Sequence, residues 1–231
     1  MSDADFEARL NTYLELVKLR PELFANPKGG VRILFDPAEI RAVEHGIAGD
    51  LRARGLELEG ANVGVIMRDP WFYVVRDAVE FSDGSRRMYA RIINRNDGGS
   101  AILPIFDGKL VLVRHFRHPL RRAILEIPRG SIEPGHSPED AAYAEIREEI
   151  GGIVRRIEAL GFLYGSTNYS GSGAHLFFAE LESVGLPQIG EGIESIEQVT
   201  VAEFEDLMRR GAILDSFTVA AYAHAKLRQL I

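Results

Sequence analysis

The order of patterns along this chain predicts an α+β protein, with a mixed, mostly antiparallel sheet and a helical extension at the N-terminus. Three observations carry the prediction. Strand-like runs begin near residue 62 and come in hairpins, helical periodicities sit apart from them, and apolar residues make up 46% of 231 against 26% charged, as in an ordinary globular chain.

Taken in order, residues 3–18 carry Phe6, Leu10, Tyr13, Leu14 and Val17 at helical spacing. RPELFANPKGG then reads as loop, because prolines, an asparagine and paired glycines break any period. Asp36 and Pro37 open a second helix that continues through Ile40, Val43, Ile47 and Leu51. These helices define an N-terminal extension over 1–60 and leave 61–231 as the main domain, including a hairpin over 71–94. In that hairpin Trp71–Phe81 is rich in aromatic and β-branched residues, residues 82–85 turn, and Arg87–Ile93 returns. A second hairpin joins Ala101–Phe106 to Lys109–His115 through Asp107-Gly108. Further strand-like runs cover 123–127, 157–162 and 175–181, and helical patterns cover 201–210 and 216–230. There is no internal repeat or low-complexity segment.

Composition narrows the function. Cysteine is absent, so disulfides, thiolate metal sites and a cysteine nucleophile are excluded. A formal charge of −7 with scattered arginine pairs argues against a nucleic-acid partner. No run approaches the ~18 apolar residues of a membrane helix, and MSDADFEARL lacks an apolar leader core. The expectation is a cytoplasmic protein without a membrane partner.

Chemistry concentrates in GSIEPGHSPEDAAYAEIREEIGG, residues 130–152. Ser137 suits an N-cap, Pro138 the first helical position and Gly151-Gly152 a stop, so a helix is predicted over 138–150. Glu145, Glu148 and Glu149 stand at i, i+3 and i+4, on one face, beside an apolar stripe of Ala142, Ile146 and Ile150. Their repulsion needs a compensator. Solvent is one, with Arg147 nearby; a hard cation, Mg²⁺ or Mn²⁺, with oxygen ligands is the other.

The same segment resembles the signature of the Nudix hydrolases, G-x5-E-x7-R-E-U-x-E-E-x-G-U with U aliphatic, when Gly130 is its first glycine. Val113-Arg-His-Phe-Arg117 and Leu125-Glu-Ile-Pro-Arg-Gly130 are similar to the arginine-bearing strand and the Glu-(Leu/Ile)-Pro-x-Gly approach of the ADP-ribose pyrophosphatase branch. Gly211–Thr218 is similar to the segment opening that branch's last helix. The resemblance covers about residues 65–230. His136, Ala144 and Gly152 depart from the pattern's first glutamate, its arginine and its final aliphatic residue. In the family the first two form an ion pair that braces the glutamates; losing both together leaves no orphan charge.

The resemblance implies a Nudix-type α/β/α sandwich with residues 61–231 as the catalytic domain. It implies metal-dependent hydrolysis of the pyrophosphate bond in a nucleoside diphosphate derivative such as ADP-ribose or another nucleotide sugar. The metal would be held by Glu145, Glu148, Glu149 and the carbonyl of Arg129. The general base is open between Glu148, water activated by the cation, and Glu191 or Glu194, since residues 164–174 hold no carboxylate; a polar flank ahead of a strand is the plainer reading of the last two. Arg117 is a candidate for diphosphate or ribose contact or a surface arginine. Glu126 is a candidate partner or substrate contact, or a strand-end carboxylate paired with arginine. Trp71 and Tyr73 suit purine stacking or packing, and all six histidines read as structural. The branch also implies a homodimer built through the N-terminal hairpins. A rival reading, favoured by His136 and Ala144, is a weak or inactive Nudix-fold sensor that binds nucleotides.

Overall fold

The computed structural model describes residues 3–96, 98–187 and 192–231. Two compact units divide the chain, one of residues 1–95 with 168–170, the other of 96–167 with 171–231.

In the first unit, helices α1 (Asp3–Leu19) and α2 (Pro37–Ala53) pack on a small antiparallel sheet. Its strands are β1 (Arg32–Ile33), β2 (Gly64–Arg68), β3 (Phe72–Glu80) and β4 (Arg86–Asn94). Asp36 caps α2 by accepting the N–H groups of Ala38 and Glu39. One core joins Phe6, Leu10 and Tyr13 of α1 to Val75 and Ala78 of β3. The hairpin therefore clusters with the helices, and packing divides the chain near residue 95 rather than 60, because β3 is the surface on which the helices bury their apolar stripes. Within the segment read as loop, a 3₁₀ turn over Pro21–Phe24 drops Phe24 into this core.

The second unit holds β5 (Gly99–Phe106), β6 (Lys109–Arg117), β7 (Arg122–Glu126), β8 (Arg129–Ser131), β9 (Ile153–Tyr164), β10 (Gly173–Ser183) and β11 (Ile193–Val199), with α3 (Pro138–Ile150), α4 (Val201–Arg209) and α5 (Ser216–Leu227). The sheet order is β11-β6-β5-β10-β9; β5 and β10 run parallel and the other pairs antiparallel. Leu103, Leu110, Leu112 and Phe178 face a core shared with Phe204 of α4 and Tyr222 of α5. Their neighbours Ile102, Val111, Val113 and Phe177 face Ala142, Ile146 and Ile150 of α3. Alternation along apolar strands thus covers both faces with helices, giving the α/β/α sandwich expected.

β6 pairs with β5 only at Leu110 and Lys109 and then runs on as partner of β7 and β11. β8 takes the edge of β5 beyond, at Gly99–Ala101. The fork between β5 and β6 is where β8 and α3 meet. Strands β1, β2, β8 and β11 are additions to the elements read from sequence.

Candidate active site

Helix α3 sets the carboxylates in place. Ser137 Oγ accepts the Asp140 N–H at 3.1 Å and Asp140 accepts the Ser137 N–H at 3.0 Å, a reciprocal capping box. Ser100 Oγ donates to the Pro138 carbonyl at 2.6 Å, fastening the first turn to β5. Gly151, at φ 57°, closes the helix where a Cβ would lie 2.7 Å from the Leu186 carbonyl oxygen. With Ala142, Ile146 and Ile150 buried, the rotation of the helix is settled. Glu149 turns inward at 3% exposure, and Glu145 and Glu148 are half-buried.

β8 meets these side chains with main chain. The Arg129 N–H donates to Glu149 Oε2 at 3.0 Å. At Gly130 a Cβ would overlap the Glu145 carboxylate, so the glycine lets that carboxylate lie directly against the strand. Burial first, then the like charge of Glu145, pushes the Glu149 carboxyl up to about 8; the Arg129 N–H and the Arg117 charge pull it down, and Glu126 pushes it up again.

A second polar group joins the first from β6, β7 and α5. Glu126 is wholly buried. Arg117 Nε donates to it at 2.7 Å and Arg129 Nη2 at 3.2 Å. Arg129 also reaches Asp215 at 3.3 Å and lies over the Phe217 ring. Asp215 accepts the Thr218 N–H at 2.9 Å and its hydroxyl at 2.8 Å, capping α5, while Thr218 Oγ1 accepts the Ile127 N–H at 3.0 Å. Gly211–Thr218 is therefore the segment that ties α5 to Arg129.

His115 also belongs here, although the sequence reading left it among structural histidines. It is 7% exposed, and its Nδ1 lies 3.3 Å from Glu126 Oε1 and 3.8 Å from Glu149 Oε1. Its position two residues before Arg117 in an alternating strand, on the same face, was the available signal.

Of the other candidates, Glu194 is exposed in β11 at a bulge, between the Ile193–His115 and Ser195–Arg114 pairs. Glu191 lies outside the described residues. His136 is exposed ahead of α3 and Ala144 half-buried within it. Gly152 has a steric reason: a Cβ there would stand 2.8 Å from Ile146 Cγ2, so the branched isoleucine occupies the room of the pattern's aliphatic residue. Tyr73 is buried in the first unit's core and Trp71 is 77% exposed.

Among the described residues no three carboxylate or imidazole groups converge as a formed coordination shell. The donor set still fits a hard divalent ion: oxygen ligands only, two carboxylates against the glycine strand, and burial with like charge that pushes the Glu149 carboxyl up where no cation is bound.

A helix carrying carboxylates against the glycine end of a mixed sheet, sandwiched between helices, defines a hydrolase of the Nudix class. A model of the NUDIX domain matches residues 97–217, and the chain belongs to that family. Its members generally use divalent metals and act on nucleoside diphosphate derivatives. The chain is 32% identical over 146 residues to an ADP-ribose pyrophosphatase of Bacillus subtilis (strain 168), covering 61% of this chain and 78% of that protein. It is 30% identical over 161 residues to a methanol dehydrogenase activator of Bacillus methanolicus, covering 67% and 85%. A crystal structure of an ADP compounds hydrolase superposes with a TM-score of 0.62 at 26% identity, covering 71% of this chain and 90% of that one. No helix among the described residues is long and apolar enough to cross a membrane.

Proposed function

We propose that this chain hydrolyses the pyrophosphate bond of a nucleoside diphosphate linked to another moiety, ADP-ribose or another nucleotide sugar. The observation that carries the reading is the meeting of Glu145 and Glu149 with the Arg129-Gly130 main chain. The likeness to an ADP-ribose pyrophosphatase supports the substrate class. Catalysis is assigned to the second unit, which is the part of 61–231 that carries the candidate site, and the protein is proposed to act as a cytoplasmic homodimer.

Glu145, Glu148, Glu149 and the Arg129 carbonyl would hold Mg²⁺ or Mn²⁺. When bound, the cation supplies neutralisation of the diphosphate's negative oxygens and acidifies water. The chain's own residues do the rest. Arg117 is partly exposed and aimed by Glu126, which suits a guanidinium fork to a diphosphate or ribose. The Arg129 N–H fixes one oxygen of Glu149. Proton acceptance is assigned to Glu148 or to Glu194 of β11, with Glu191, outside the described residues, as the remaining candidate.

The test is AMP release from ADP-ribose and a panel of nucleotide sugars, with Mg²⁺ and with chelator, beside Glu149→Gln. Turnover should require metal and fall in the variant by on the order of 100-fold or more, at or beyond the upper end of losses from groups that merely support a ligand. Metal-dependent binding of ADP-ribose with no turnover of any substrate would overturn it in favour of a sensor.

A further inference from the structure

We propose that His115 is a positioning residue of the active site, holding Glu149 in register with Glu126 and so joining β6 to α3, whose position 144 is alanine and whose one arginine, Arg147, lies toward Glu148. The proposal rests on the reading of Glu149 as a metal ligand. Three observations lead to it.

First, the imidazole is buried, and its Nδ1 faces two buried carboxylates at 3.3 and 3.8 Å. A nitrogen that donates there faces one oxygen of each, while the second oxygen of Glu149 is already held by the Arg129 N–H. At 3.3 Å Nδ1 is in hydrogen-bond reach of Glu126, and at 3.8 Å it is in ion-pair range of Glu149, so Glu149, drawn inward by a bound cation, would find a donor on its other oxygen. Second, the rest of the ring is confined. Gly192 passes alongside, with its Cβ position 3.7 Å from His115 Cδ2 and Nε2, and its carbonyl accepts the Phe116 N–H at 2.9 Å. The ring is therefore wedged between β11 and the acid pair, with Nδ1 directed inward. Third, α3 offers no cation of its own on that side. Position 144 is alanine, and Arg147 approaches the half-exposed Glu148 at 3.7 Å. The support for Glu149 comes from β6 and β8 instead.

The experiment measures Mn²⁺ affinity directly, by the paramagnetic resonance signal of free Mn²⁺, alongside kcat and KM for ADP-ribose at saturating metal. His115→Leu should weaken Mn²⁺ binding by roughly 10–100-fold while KM at saturating metal stays within about twofold. His115→Asn places an N–H donor near the position of Nδ1 and should recover most of the affinity; His115→Gln extends its donor one bond further and should not. Wild-type Mn²⁺ affinity in His115→Leu overturns the proposal. So does equal impairment of the Asn and Gln variants, which also decides the matter if the Leu variant does not fold. Glu149→Gln is measured in parallel: wild-type Mn²⁺ affinity there removes the ligand reading itself and the proposal with it, whereas lost affinity there beside an unaffected His115→Leu removes only the role of His115.

Discussion

Glu149 is the residue on which burial and charge collide. Its carboxyl titrates near 8 when folded against an ordinary 4.5, so the folded state takes up a proton that the unfolded chain releases. The resulting stability is fully present below about pH 4.5 and is lost as pH rises through about 8. In chelator-treated protein the thermal midpoint should fall across that window, and Glu149→Gln should flatten the fall; an unchanged slope in the variant would show that another group governs it. Gly130 makes a second prediction at this scale. Gly130→Ala would displace the Glu145 carboxylate, the mobile end of its side chain. Stability should change by less than about 1 kcal/mol while Mn²⁺ affinity drops by roughly 10-fold or more, readable by urea unfolding and direct titration. Only the glutamate spacing was legible beforehand. Burial does most to raise the Glu149 carboxyl, and the two charges that add to it, Glu145 and Glu126, come one from its own helix and one from β7 across the fork of the sheet.

At the scale of elements, α3 and α5 are locked to the sheet by opposite means. Helix α3 is fixed by its apolar face, and Gly152→Val would drive a side chain into Ile146; the cost should be about 1–3 kcal/mol in urea unfolding. A neutral effect would mean that the β9 start yields freely. Helix α5 is fixed by its cap: Asp215→Ala removes the acceptor of the Thr218 N–H and a partner of Arg129. We expect a loss of about 1–2 kcal/mol in urea unfolding; an unchanged midpoint would show that the apolar face of α5 holds it without the cap. Both helices were readable from caps and periodicity. β8, three residues long, was not, because its strand character comes from pairing with Gly99–Ala101 and not from its own residues. β11 begins beside a glycine-rich acidic stretch that masks its alternation in the same way.

For the whole molecule, the two units bury separate cores, and the candidate site lies entirely within the second. The proposed homodimer predicts a light-scattering mass near twice 25.6 kDa over a broad concentration range; a monomer mass throughout would reject it. The boundary near 95 reflects tertiary packing: a hairpin rich in aromatic and branched residues looks alike whether it docks on the following sheet or on preceding helices.

The sequence by itself determined the α+β class, the helices of the sandwich, the glutamate trio at helical spacing and the segments that resemble the Nudix box. Those features depend on periodicity, capping and glycine placement, which are local and survive translation into a string of letters. Tertiary structure alone decided that Glu149 is buried with its carboxyl pushed up, and that Glu126 is shared by Arg117 and Arg129. It also decided that His115 belongs with them rather than with the structural histidines. Those outcomes depend on which distant oxygen and nitrogen atoms share a low-dielectric space, and that distance is set by the folding of β6 away from β5.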